Sequence, residues 1–249
     1  MATDLDSRLK LADTDRWLAS RFISDPSARA DVVALYALDL ELGAVPQRAT
    51  NPLMAEIRLA WWRERCEALS EGAAGGEHPV LTALSPALAQ GRIPLAAVEA
   101  MIAARHVELA DPWFEDEAAL DLYLDDLDVS LLTTVATRLD AAVDREAVAP
   151  AARLCGLARL AHREAVKGAA PPWWPRTWRD LMESADSPDE VIRHLGHKLG
   201  QLQRAARTAP RLSPAAFPAI TQAALALDPR RGPLGRRLRV TLAVARGRI

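Results

Sequence analysis

The chain has 249 residues, half of them hydrophobic and about a quarter charged, with a formal net charge of −2. That length allows one large domain with a substantial core, and the composition excludes a disordered or collagen-like chain. An isoelectric point near 6.2, with no recognition motif, argues against a nucleic-acid binder.

Ala, Leu and Arg dominate and β-branched runs are short, which favours helix throughout. The 17 prolines fall mostly between periodic segments and act as breaks. Apolar spacing predicts a first helix over 13–22, ended by Ser24-Asp25-Pro26, a second over 27–45 and a third over 52–69. The third opens with Asn51 as N-cap and Pro52 at its first helical position. The loop EGAAGGEHP leads into a short helix over 80–89, and Gly91 to Pro94 break the chain before a helix over 95–110. A turn at 111–114 precedes a long helix over 117–139 and another over 150–166. The loop GAAPPWWPRTW carries too much proline to be regular. Ser187-Pro188 then open a helix running to 207, and shorter helices follow near 213–226 and 234–245. With no strand pattern, repeat or linker, residues 1–249 are expected to form a single all-α domain of about nine to eleven helices.

Cys66 and Cys155 lie inside predicted helices without partner spacing, so neither a disulfide nor a zinc site is expected, as suits a reducing compartment. The N-terminus lacks the apolar core of a signal peptide, and no apolar run reaches the roughly 18 residues of a spanning helix. A cytoplasmic location is expected, peripheral on the inner face of the membrane if a membrane is touched. Charge is unevenly placed: residues 107–137 hold nine acidic residues and no Lys or Arg, whereas 230–249 hold seven Arg and no carboxylate.

The most informative stretch is 34–63, ALYALDLELGAVPQRATNPLMAEIRLAWWR, two helices in which Asp39 and Glu41 sit among leucines and Trp61-Trp62 are interleaved with Arg58 and Arg63. Its order and spacing resemble the N-terminal part of the squalene/phytoene synthase family of head-to-head prenyl transferases. The likeness is nearest to a branch without catalysis that includes a mitochondrial complex I assembly factor. The resemblance implies an isoprenoid-synthase-like helical bundle around a central cavity. Active members hold Mg²⁺ on two aspartate-rich motifs, because ionising an allylic diphosphate needs a hard cation on carboxylate oxygens. Placed from Leu35-Tyr36-Ala37-Leu38, the first motif's leading aspartates fall on Gly43 and Ala44, and Asp39 and Glu41, two apart, point to different sides of the helix. The second motif precedes a segment like YLP, matched by Trp173-Trp174-Pro175, and its aspartates fall on His162 and Val166, with Arg163 and Glu164 between them. Ala104 to Pro112 is similar to a further family segment. Tyr123 to Leu132 resembles a helix in which the family has a small-residue step, here Asp128-Val129.

Both metal motifs are therefore degenerate, and the resemblance implies a non-catalytic binding or assembly factor that needs no cofactor, with Arg58, Trp61, Trp62 and Arg63 carrying any shared family role. Its partner would be a prenyl lipid or a respiratory-complex subunit. The alternative is an active prenyl transferase using Mg²⁺ on relocated ligands, for which Asp121 and Asp125, four apart on one helix, are the candidates; the plainer account of that run is a solvated acidic face. His194 and His197 share a helix face without a third ligand at a natural spacing. His162, Arg163 and Lys167 form a cationic group suited to a phosphate or head group. The tail places Leu234, Leu238, Leu242, Ala245 and Ile249 on one face of a basic helix at about 230–249, suited either to an anionic membrane surface or to packing on the domain.

Overall fold

The computed structural model of the chain describes residues 2–49, 51–110, 113–164, 173–184, 189–226, 228 and 232–249. Among these there is no strand. The helices in chain order are α1 Ala2–Ala12, α2 Thr14–Ser20, α3 Pro26–Arg48, α4 Pro52–Ser70, α5 Pro79–Ala89 and α6 Leu95–Val107. Then come α7 Glu117–Leu124, α8 Ser130–Leu139, α9 Arg145–Glu164, α10 Arg176–Ser184, α11 Asp189–Thr208 and α12 Pro233–Arg246. The expected all-α bundle is found.

Starts are written locally. Asp25 accepts hydrogen bonds from the amides of Ser27 and Ala28 at the head of α3, and Asn51 accepts from Met54 N at 3.0 Å at the head of α4. Each cap is followed by proline at the first helical position, where its missing N–H costs nothing.

The core is organised around α3, which is buried on nearly every side from Ala28 to Val45 and touches α1, α2, α4, α5, α6 and α8. A helix apolar all round belongs in the interior. By contrast α4 buries only Ala55, Leu59, Trp62, Cys66 and Leu69, steps of four and three residues that make one narrow seam against its neighbours. Its Leu53, Met54, Ile57 and Trp61 stay exposed. Cys66 and Cys155 are free thiols, and burial, aided by Glu67, pushes Cys66 up to about 12.

Three segments depart from the sequence expectation. Helix α1 was not anticipated; Leu5 and Leu9, one turn apart, bury it against the body. Helix α10 starts directly after Pro175, where proline ends the irregular stretch instead of prolonging it. The segment near 213–226 forms two 3₁₀ turns, Phe217–Ala219 and Thr221–Ala224, instead of an α-helix. Pro214 and Pro218 each withhold an amide from the ladder there. The predicted helix start at Ser187-Pro188 lies outside the described residues.

The long helix over 117–139 is present as one run, α7 and α8 joined through a π-helical turn at Asp125–Val129. The widened turn carries Asp128 into the interior, where it is 2% exposed against Gly156 of α9. A Cβ at position 156 would lie 2.3 Å from Asp128 Oδ2 and 2.7 Å from Leu124 Cδ2. The small residue that the family resemblance places on the α7–α8 side is thus supplied by the opposing helix. Gly156→Ala should cost about 1–3 kcal/mol, the usual scale of overpacking. In urea melts the double variant with Asp128→Ala should lose less than the sum of the singles, because removing the carboxylate removes the clash.

Candidate functional site

The interior holds a network of charges from five segments that are far apart in sequence. Asp39 of α3 accepts from Arg16 Nη1 of α2 at 2.5 Å and from Arg105 Nη2 of α6 at 2.6 Å. Arg105 also pairs with Glu108, which accepts the hydroxyl proton of Tyr123 on α7 at 2.8 Å. On the far side Arg159 of α9 pairs with Asp128 at 2.8 Å. The guanidinium of Arg16 lies over the ring of Tyr36, 5.2 Å from its centre. Burial acts to raise the Asp39 carboxyl, but Arg105 and Arg16 outweigh it and hold the group well below the usual carboxylate range. Burial likewise acts to discharge Arg105 and Arg159, and their carboxylate partners hold both firmly cationic. Charges this deep survive only when each is met by an opposite charge and by hydrogen bonds.

This network occupies the place to which the family resemblance assigns the first metal motif. Gly43 lies one helical turn beyond Asp39, and a Cβ there would be 3.2 Å from Arg105 Nη2 and 3.3 Å from its Cζ. A guanidinium, not a cation-binding carboxylate, faces that position. Both Asp39 oxygens are taken by arginines, and Asp128 is held by Arg159. These residues do not fit a magnesium ion. Among the described residues no group of three or more His, Cys, Asp or Glu is arranged to hold a metal.

Asp39 and Glu41 do diverge, as their spacing predicts. Glu41 turns outward to Arg8 and Arg48 and, with Ala44, lines a groove of about 380 Å³ between α3 and α4. Arg58, Trp61, Trp62 and His78 complete that groove. Trp62 is buried and meets Trp61 and His78 edge-on at 5.1 and 5.0 Å, a favoured aromatic geometry. Arg58 lines the groove and Arg63 does not, so three of the four residues singled out on α4 face it.

His162 lines a second cavity, about 350 Å³, together with Arg16, Asp128, Arg159, Asp15 and Arg236. Burial and the nearby Arg236 lower its pKa, which favours the neutral ring. Arg163 and Glu164 end α9, with side chains outside the described residues, as are Val166 and Lys167 altogether. Asp121 pairs with Lys198 of α11 at 2.9 Å, while Asp125 takes a two-pronged pair from Arg153 of α9 at 2.5 and 2.7 Å. The two carboxylates are thus spent on different helices. His194 meets Glu117 at 2.5 Å and the edge of Trp178, and His197 is exposed.

Sequence reasoning missed Arg16, Arg105, Glu108 and Arg159. One local signal existed: Arg105 and Glu108, three apart on a helix face otherwise apolar, suit an internal pair. The remaining partners are joined only by the fold.

Comparison with known proteins places this geometry in context. Seven chains of solved structure match, among them a crystal structure of a dehydrosqualene synthase in complex with ligand. That structure is 14% identical, with a TM-score of 0.73, and the match covers 98% of this chain and 95% of the other, which establishes the isoprenoid-synthase-like fold. No curated protein matches. The family model for squalene/phytoene synthase matches residues 9–160, more than half of the sequence, and the chain accordingly belongs to the squalene/phytoene synthase family.

Proposed function

We propose that this chain is a non-catalytic member of its family that acts by binding a client protein, in the assembly of respiratory complex I. The observation that carries the non-catalytic part is Arg105, a buried cation directed at Gly43, where the resemblance assigns an aspartate of the metal motif. The likeness of residues 34–63 to the assembly-factor branch supports the client. The groove of Trp61, Trp62, His78 and Arg58 is the contact surface this reading favours, since exposed aromatics and arginine are the usual anchors of protein interfaces. A prenyl chain in the other cavity is less favoured, because Arg16, Arg159, Arg236 and three aspartates line it.

The second reading, an active prenyl transferase, draws on family membership itself. Purified protein incubated with Mg²⁺ and labelled farnesyl or geranylgeranyl diphosphate separates the two. No released diphosphate is expected under conditions in which an active synthase turns over. Turnover lost in Asp121→Ala would establish the enzyme reading instead.

Deleting the gene in its own organism should lower assembled complex I on native gels, and normal levels would overturn the assembly reading. Complementation with Trp61→Asp combined with Arg58→Glu should fail although the protein still melts within about 2 °C of the original, since both side chains lie at the surface.

Asp39 should behave as a structural ion, not as a metal ligand. At neutral pH Asp39→Asn should cost about 3–5 kcal/mol, because it leaves two buried guanidiniums facing a neutral amide. The folded-state pKa of Asp39 is depressed, so its contribution is complete above the unfolded value near 4 and is lost as pH falls toward the folded value. The difference in melting temperature between the two proteins should therefore hold from pH 7 down to about 4 and shrink below it.

A further inference from the structure

The C-terminal helix presents its leucines outward. Leu234, Leu238 and Leu242, spaced by four, are 81%, 62% and 39% exposed, whereas Val240 and Ala243 on the opposite side are buried. Val240 is held in a small cluster with Leu18 and Leu225, flanked by Trp17, Phe22 and Val244. That attachment fixes the helix with its leucine stripe facing away from the body, which decides against the alternative that this stripe packs on the domain. At 3.6 residues per turn the stripe is bordered by Arg237 on one side and by Arg239 and Arg246 on the other, all exposed, and α12 contains no carboxylate. Arg236, on the inner side of the helix, donates to Asp15 of α2 at 2.5 Å. Beside the start of α12, across a shared groove, stands the end of α1 with Lys10 exposed and Leu11 87% exposed. No described helix is long and apolar enough to cross a membrane.

From the outward stripe, its arginine borders and the adjoining Leu11 we infer that this face docks on an anionic lipid bilayer, α12 lying in the plane of the interface. Leu234, Leu238 and Leu11 enter the boundary between head groups and acyl chains, while Arg237, Arg239 and Arg246 meet lipid phosphates. A protein partner would be expected to cover a broader surface with mixed polarity. A narrow apolar stripe between cations matches the layered chemistry of a lipid surface. The inference stands whether or not the chain turns over a substrate.

The test is co-sedimentation of the full chain with vesicles of phosphatidylcholine alone or of phosphatidylcholine with phosphatidylglycerol. Binding is expected only to the anionic vesicles and should weaken with added salt. Leu234→Glu with Leu238→Glu should abolish it, and Arg237→Gln or Arg239→Gln should each weaken it about fivefold, with melting temperatures unchanged. No sedimentation with anionic vesicles, equal binding to neutral ones, or binding indifferent to the leucine changes would overturn the inference. No sedimentation with either kind of vesicle would leave the stripe as a surface for a protein.

Discussion

The packing of the bundle turns on one carboxylate. Asp39 stands in the middle of the most deeply buried helix and is gripped by arginines from α2 and α6, so three elements share one electrostatic point. Through Glu108 and Tyr123 the arrangement reaches α7, and the matching pair of Arg159 with Asp128 ties α9 to the π-helical turn. Apolar burial alone is tolerant of small slips between helices. Buried charges are not, because each displacement leaves an ion without its counter-ion in a medium of low polarity. The network thus acts as a register for the helices around it more than as a source of net stability.

That constraint changes what the inherited architecture can do. A family fold built to enclose a reactive diphosphate here has Gly43 against a guanidinium and its central carboxylates neutralised by arginine. The features that stand open at the surface are the aromatic groove between α3 and α4 and the leucine face of α12. Helix α4 shows how narrow an attachment can be: its seam of Ala55, Leu59, Trp62, Cys66 and Leu69 is buried, while Leu53, Met54, Ile57 and Trp61 stay exposed.

Much of the fold was legible from the chain. Helices with a capped start, α3 and α4 above all, appear where their residues direct them, and Asn51 caps α4 as its position before proline requires. Where the signal was thin, tertiary contacts decided. Two leucines sufficed to bury α1, and two prolines turned an apparent helix near 213–226 into 3₁₀ turns. Spacing could place Gly43 and Ala44 at the positions of the first motif, yet it could not show the guanidinium that faces Gly43. Arg16 and Arg159 are ordinary arginines until folding gathers them on Asp39 and Asp128, and nothing local distinguishes them from surface charges; Arg105 alone carried a local mark, its spacing to Glu108. For α12 the pattern revealed a stripe without saying which way it turned; Val240 and Ala243, a narrower face, settled the orientation.

Arg105 also limits what a substitution at position 43 can do. A carboxylate introduced at position 43 would meet a guanidinium before it met a metal, and would join the existing ion network as one more counter-charge. Removing Arg105 first would strand Asp39 and Glu108 in the interior. Neither single substitution would produce a metal-binding pocket, so position 43 and Arg105 are locked together: a change at one is tolerated only with a compensating change at the other.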